Sequence, residues 1–230
     1  MFDTDLLLKW MTSNPWFASL ELHIQMTLLT EARLQRLNPG EYLARQGDTP
    51  GYFYGLVRGA LKVSSLREDG KEAILTVVEP GNWFGQTSLL DGLPRVHDIC
   101  ATDSAHILCI DLQAFDKLMA HNSFARAIAV LQATHSRLVY KMLEDAMLRS
   151  TRVRIARRLE HLARGDATQS LNERQLLNVT QDDLAMMLGI TRQTLALELK
   201  AMAAAGVLKL RYGQVQIESL TKLRAMESPL

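Results

Sequence analysis

The residues of this chain best equipped for chemistry lie between Gln181 and Met202. Asp182-Asp183 opens a helical run containing Leu184, Ala185 and Leu188; Gly189 ends it, and Ile190-Thr191 starts another. Two helices that cross sharply through a short turn need a small residue where they touch, here Ala185. They also need glycine where the backbone goes left-handed, here Gly189. Ile190, Leu195 and Leu199 would then pin the second helix to the first. This is the spacing of a helix-turn-helix whose second helix offers Thr191, Arg192, Gln193 and Thr194 at its start, with Leu197 and Lys200 further along. The planar fork of Arg192 fits guanine O6 and N7, and the amide of Gln193 fits adenine N6 and N7. Leu197 can only pack, for instance on a thymine methyl. Thr180 and Gln181 complete the set expected to touch DNA ahead of the first helix.

Downstream, two alternating runs flank Tyr212-Gly213 between Gly206 and Ile217. They read as a hairpin, hence a wing, with Lys209 and Arg211 placed for phosphates. The alternative is a helical pair inside an all-helical bundle, which the wing and the charge balance oppose. Residues 1–150 carry 14 basic and 17 acidic side chains, whereas residues 151–230 carry 12 and 8, although the whole chain is only +1. A basic C-terminal part on an acidic body suits a polyanion partner. A solvated helix face would account for the same charge.

These side chains need a scaffold, and 230 residues at 47% hydrophobic and 22% charged can build one. The first 35 residues read as helix, from the Asn14-Pro15 start signal through Leu20, Ile24, Leu28 and Leu29 until Asn38-Pro39-Gly40. Glycines then recur from 40 to 92 with short β-rich runs between them. These are Tyr52 to Val57, Leu61 to Leu66, Ala73 to Val78, Arg95 to Thr102 and His106 to Ile110, with Glu68-Asp69-Gly70 as a hairpin turn. Many short strands with regular turns imply a barrel, roll or sandwich. No glycine falls between Phe115 and Gly165, so this stretch reads as helix throughout, broken at Gly165-Asp166. Along it Phe124, Ile128, Leu131, His135, Leu138 and Met142 follow a spacing of 4, 3, 4, 3, 4. That rhythm suits a seam between two copies, or a helix lying on its own core.

Other functions find little support. There is no His-x-His pair, serine-nucleophile elbow, P-loop or dinucleotide-binding glycine pattern, so no catalytic residues are expected. The six histidines lack metal-ligand spacing. Cys100 and Cys109 read as buried small hydrophobes. No apolar stretch approaches the ~20 residues of a membrane span; the run from Ala73 to Val78 is about six. The acidic Met1-Phe2-Asp3-Thr4-Asp5 start is unlike a signal peptide, so the cytoplasm is the expected compartment, and no membrane partner is expected.

The chain resembles the cyclic-AMP receptor protein and fumarate–nitrate reduction regulator (CRP/FNR) family of bacterial transcription factors. The resemblance rests on Phe84-Gly85-Gln86-Thr87-Ser88-Leu89-Leu90-Asp91-Gly92-Leu93-Pro94-Arg95 and on Gly189-Ile190-Thr191-Arg192-Gln193-Thr194-Leu195, in that order. It implies an α+β fold with three parts. Residues 1–121 would form a cyclic-nucleotide-binding-like β-roll (jelly roll) with N-terminal helices, sensing an effector. Residues 122–150 would be a long dimerisation helix, and 151–230 a winged helix-turn-helix DNA-binding domain. The resemblance further implies a homodimer on a palindromic operator that works with RNA polymerase. The alternative is a small-molecule sensor that acts through protein contacts without DNA.

In cyclic-nucleotide-binding members the roll motif holds the ligand: Arg binds the phosphate, Glu the ribose hydroxyl and Ser a second phosphate oxygen. Here Gly85 and Arg95 match, Gln86 stands for Glu and Val96 for Ser, with Thr87 beside them. The adjacent Ser/Thr pair that reads adenine is missing between Leu131 and Arg149. These departures argue against cyclic AMP and leave another small effector open. Arg95 then binds an anion of that effector, or serves as a structural remnant paired with an acid such as Asp91. Oxygen-sensing members carry an N-terminal cysteine cluster, which this chain lacks, so no iron–sulfur cluster is expected. In the reader helix, the family's frequent Glu and second Arg, which read TGTGA-type half-sites, are replaced by Gln193 and Leu197.

Overall fold

A computed structural model describes residues 4–66, 68, 70, 72–165 and 173–226. Asp69 of the expected hairpin turn and Asp166 of the expected break lie outside the described residues. The chain divides into two compact units, residues 1–65 with 76–137 and residues 66–75 with 138–230.

The first unit opens with three short helices, α1 (Thr4–Met11), α2 (Pro15–Ala18) and α3 (Leu22–Thr30). Asn14 caps α2, its side chain accepting from Trp16 and Phe17 N–H, and proline begins the helix as the sequence suggests. The helical reading of residues 33–35 is incorrect. Arg33–Leu37 is strand β1, followed by β2 (Tyr42–Ala44). β1 is an edge strand whose charged, exposed residues show little periodicity; its ladder partner, not its own pattern, makes it extended.

The roll continues with β3 (Tyr52–Arg58), β4 (Leu61–Leu66), β5 (Glu72–Val78), β6 (Trp83–Phe84), helix α4 (Gln86–Asp91), β7 (Asp98–Ala101) and β8 (Ala105–Asp111). One sheet has the order β1-β8-β3-β6 and the other β2-β7-β4-β5. Leu56, Leu61, Ile99, Ile107 and Cys109 share a core drawn from both sheets. Alternate residues of β3 face opposite ways, so Tyr54 and Leu56 enter that core while Phe53 and Val57 enter a second one roofed by helices. The expected strand from Arg95 begins three residues late: Arg95 and Val96 are not strand, and His97 lies at a bend before β7. Pro94 cannot donate to a ladder, and Arg95 instead exchanges backbone hydrogen bonds with Gly47 and Asp48. Cys109 is buried as expected, whereas Cys100 is only partly so.

The glycine-free stretch holds α5 (Leu112–Met119), α6 (Asn122–Leu148) and α7 (Thr151–Ala163), not one helix. The 27 residues of α6 make a rod about 40 Å long. In its first half the apolar stripe follows the second of the two expected readings, a helix lying on its own core. Phe124, Ile128 and Leu131 are buried with Phe53 and Phe115 in the helical core of their own unit. His135 is turned to the roll, and Leu138 and Met142 are half-buried. A 3.5-residue rhythm reports that a helix packs on something, not on what. The exposed apolar face of α6 is the neighbouring one, where Val139, Tyr140, Leu143 and Met147 stand in solvent.

In the second unit Ser150 caps α7. β9 (Leu176–Leu177), α8 (Gln181–Leu188), α9 (Arg192–Ala204), β10 (Leu208–Arg211), β11 (Gln214–Ile217) and α10 (Leu220–Ala225) follow. The three strands pair in the order β10-β11-β9. Ile155, Leu159, Leu184, Leu195, Leu199, Met202 and Ile217 are completely buried in one core. Among the described residues no helix is long and apolar enough to cross a membrane.

Candidate functional site

The reading head is built by its caps. Thr180 Oγ1 accepts from Asp183 N–H at 3.0 Å and donates to Asp183 Oδ2 at 2.7 Å, which starts α8. Gly189 ends α8 at φ 63°, a conformation a side chain would strain, and lets the chain turn within a few residues. Thr191 Oγ1 then accepts from Thr194 N–H at 3.1 Å and sits 2.9 Å from the Thr194 hydroxyl, which starts α9. The three threonines expected at DNA thus also place their hydroxyls at the starts of the two helices. Leu195, Leu199 and Met202 hold the inner face of α9 in the core.

The other face of α9 carries the candidate readers. Arg192, Gln193, Thr194, Leu197 and Lys200 are all exposed. Gln193, Leu197 and Lys200 fall at i, i+4 and i+7, one stripe along the helix. Leu197 is 72% exposed, an apolar side chain with no part in the core. Arg192 Nε lies 3.3 Å from Asp182 Oδ1, a pairing that spacing alone did not suggest. Glu198, on the adjoining side, accepts from Arg152 Nε of α7 at 2.8 Å. In the wing Lys209 pairs with Gln216 and Arg211 with Gln214, so both cations project from one face of β10 and both are exposed. Tyr212 is fully exposed at the tip. Gln181 is half-buried at the start of α8.

The second candidate site lies in the roll, at the start of α4. Gly85 precedes this helix at φ 95°. A Cβ there would stand 3.0 Å from Arg95 Nη1 and from Tyr54 Cδ2, so glycine is needed both for its conformation and for close approach. Arg95 is only 6% exposed. Its Nη1 donates to the Gly85 carbonyl at 2.9 Å and its Nη2 to the Tyr52 carbonyl at 2.6 Å, and its guanidinium lies 5.2 Å from the Tyr54 ring centroid. Among the described residues no ion pair joins Arg95 to Asp91, whose Oδ1 accepts from Leu93 N–H at 2.9 Å. The remnant reading therefore needs correction: the arginine is tied to backbone and ring, not to an acid. Val96 is exposed on the surface next in chain.

Gln86, 2% exposed, connects α4 to α6. Its Nε2 donates to Gln132 Oε1 at 2.9 Å and to His135 Nδ1 at 3.2 Å, and Thr87 Oγ1 donates to the same Gln132 oxygen at 3.3 Å. Gln86 Oε1 is buried without a hydrogen-bond partner among the described residues. Since Nε2 is a donor, His135 Nδ1 must accept, which requires a neutral ring. Burial lowers the His135 pKa in agreement. Sequence reasoning put His135 in the seam and missed Gln132; the i, i+3 spacing of these two polar residues was the available signal. His97 faces Ser65 Oγ at 3.0 Å. Burial pushes the Cys109 thiol up to about 11, leaving it protonated and unreactive at neutral pH. Among the described residues no three His, Cys, Asp or Glu side chains are grouped to hold a metal ion.

Two family models match the chain: the cyclic nucleotide-binding domain over residues 34–122 and the Crp-like helix-turn-helix domain over residues 153–226. A CRP-like cAMP-activated global transcriptional regulator of Mycobacterium tuberculosis is 24% identical over 80% of this chain and 83% of its own. The cyclic AMP receptor protein of Thermus thermophilus is 29% identical over 82% and 86%. Among solved structures, FixK2 from Bradyrhizobium japonicum superposes with a TM-score of 0.76 over 86% of this chain and 98% of its own, at 19% identity. That likeness shows a common fold.

Proposed function

We propose that this chain, which belongs to the CRP/FNR family of transcriptional regulators, acts as a cytoplasmic homodimer whose two winged helices each read half of a palindromic operator. The observation that carries this reading is the outer face of α9. Arg192, Gln193, Leu197 and Lys200 are all exposed on the helix that starts just after the Gly189 turn, while Leu195 and Leu199 hold its other face in the core. Base edges in a major groove offer that stripe guanine, adenine and thymine-methyl contacts. The wing cations Lys209 and Arg211 would add phosphate contacts that carry no sequence information. We divide the chain as above, into a sensing roll, a dimer helix from 122 and a reading domain from 151.

The dimer seam belongs on Val139, Tyr140, Leu143 and Met147, because the first half of the original stripe is already packed inside its own unit. An effector in the roll would act by favouring one dimer arrangement over another, hinged near Arg149 to Arg154. That effector is something other than cyclic AMP. Arg95 has committed both terminal nitrogens to carbonyls, and Gln86 offers a ribose hydroxyl only a neutral partner. No catalytic step is assigned to the chain, and RNA polymerase is the partner its promoter-bound form would address.

Selection of sites from a random duplex library tests the reading. The expected product is a palindrome that keeps a guanine under Arg192 and departs from TGTGA where Gln193 and Leu197 read. Recovery of an unaltered TGTGA palindrome would refute the side-chain assignments. Enrichment of nothing would favour a sensor that works without DNA. Calorimetry with cyclic AMP is expected to show no binding in the low micromolar range.

A further inference from the structure

Two adjacent carboxylates open α8, and they do different things. Asp183 is engaged with the Thr180 hydroxyl and completes the cap. Asp182 turns to the other helix, its Oδ1 3.3 Å from Arg192 Nε. Both members of this pair are more than half exposed, at 57% and 69%, so it contributes little to stability. For a surface that must approach a polyanion, the carboxylate is an electrostatic cost. What the carboxylate approaches is the guanidinium of Arg192. A guanidinium has two faces able to make paired hydrogen bonds, one along Nε and one across Nη1 and Nη2. The carboxylate lies at the Nε side. No hydrogen bond among the described residues engages the Nη atoms of Arg192, so the end-on pair stays open.

We infer that Asp182 is a positioning residue for base recognition: it orients Arg192 so that Nη1 and Nη2 meet guanine O6 and N7, and its charge weakens binding to arbitrary DNA. The inference rests on the reading of α9 as the helix that contacts bases. A flexible arginine without this anchor could turn to a phosphate as readily as to a base, and phosphate contacts do not discriminate. Asp182 thereby trades total affinity for the ratio of specific to non-specific binding. The competing explanation is structural, since a carboxylate in the first turn also suits the positive end of the α8 dipole.

The two explanations separate in a binding assay on the full-length protein. Fluorescence anisotropy would use three duplexes: the selected operator, the operator with adenine for the guanine under Arg192, and a random duplex. Asp182→Asn and Asp182→Ala are expected to bind the random duplex about three- to tenfold tighter and to lose at least about threefold of the guanine-over-adenine preference. Asp182→Glu should recover part of that preference. In an Arg192→Ala background, Asp182→Ala should leave the residual base preference unchanged, because nothing remains to be positioned. If Asp182→Asn and Asp182→Ala change affinity for all three duplexes by one common factor, the carboxylate is only a charge or a dipole partner and the inference is overturned. A wild type that binds no duplex selectively, or an Arg192→Ala variant with full guanine preference, would instead remove the reading on which it rests.

Discussion

Arg95 gives both terminal nitrogens to the carbonyls of Gly85 and Tyr52 and lies over the Tyr54 ring, so in this structure it joins three segments of the roll. Hydrogen bonds from a charged donor are worth ~1.5–3 kcal/mol each, and burying the two carbonyls unpaired adds to the loss. Arg95→Ala is therefore expected to destabilise the protein by at least ~2 kcal/mol in urea unfolding without any effector present; an unchanged midpoint would return Arg95 to the role of effector ligand. The His135 ring, neutral against Gln86 and held below its usual range by burial, makes a separate prediction. The unfolded chain takes up a proton near pH 6.5 and the native one only at lower pH, so stability rises with pH between the two values. Neutral His135 contributes fully above about pH 6.5 and its contribution is lost as pH falls through the native value. His135→Gln should flatten urea stability measured from about pH 6.5 to 5, in part only, because burial displaces His97 the same way. At the reader, Arg192→Ala should cost ~1–3 kcal/mol and relax the preference at one base pair. Lys209→Ala or Arg211→Ala should instead weaken every duplex alike and lower the salt slope of binding.

At the scale of elements, α6 presents two apolar faces with different obligations. Phe124, Ile128 and Leu131 close the core beneath β3, and Tyr140, Leu143 and Met147 repeat at a 3, 4 spacing in solvent. The two faces predict different failures. A charge buried at the first face has no partner and costs several kcal/mol of folding stability. Ile128→Asp should thus lower the melting temperature of the roll or prevent its folding. Leu143→Asp or Tyr140→Asp should leave each copy folded, by circular dichroism, and yield a monomer in sedimentation at micromolar concentration. A Leu143→Asp protein that remains dimeric would place the seam elsewhere.

For the whole molecule, the two-fold symmetry of the proposed dimer turns the position of α9 into a statement about DNA. Reader helices of a symmetric dimer meet half-sites whose centres lie about one helical turn apart, 10–10.5 base pairs. Inserting about five base pairs at the centre of the selected operator turns one half-site to the opposite side of the duplex. Affinity measured by gel shift should then fall at least tenfold, toward that of a single half-site. Inserting a full turn leaves the faces aligned but the distance wrong, and should also bind poorly. Equal affinity for all three spacings would mean that the two reading heads act independently.

The parts of this protein that could be read from its residues are those whose partners are close in sequence. Ala185, Gly189, Leu195 and Leu199 define a helix-turn-helix within some fifteen residues, because a turn, a cap and a packed pair of helices are all local requirements. The wing and the run of roll strands were legible for the same reason, whereas the breaks that divide the glycine-free stretch into α5, α6 and α7 were not. Contacts that span the chain were not. β1 carries no strand pattern of its own and is extended because Arg33 to Leu37 pair with the far end of the roll at Cys109 to Ala105. The stripe on α6 announces a packing face, yet only tertiary structure assigns Phe124 and Ile128 to their own core and leaves Tyr140 and Leu143 exposed. Arg95 is likewise a donor whose acceptors, Tyr52 O and Gly85 O, are backbone atoms that every residue possesses, so no sequence pattern can mark them. Periodicity fixes which side of an element must be buried; which surface buries it is decided by where the chain brings its distant segments together.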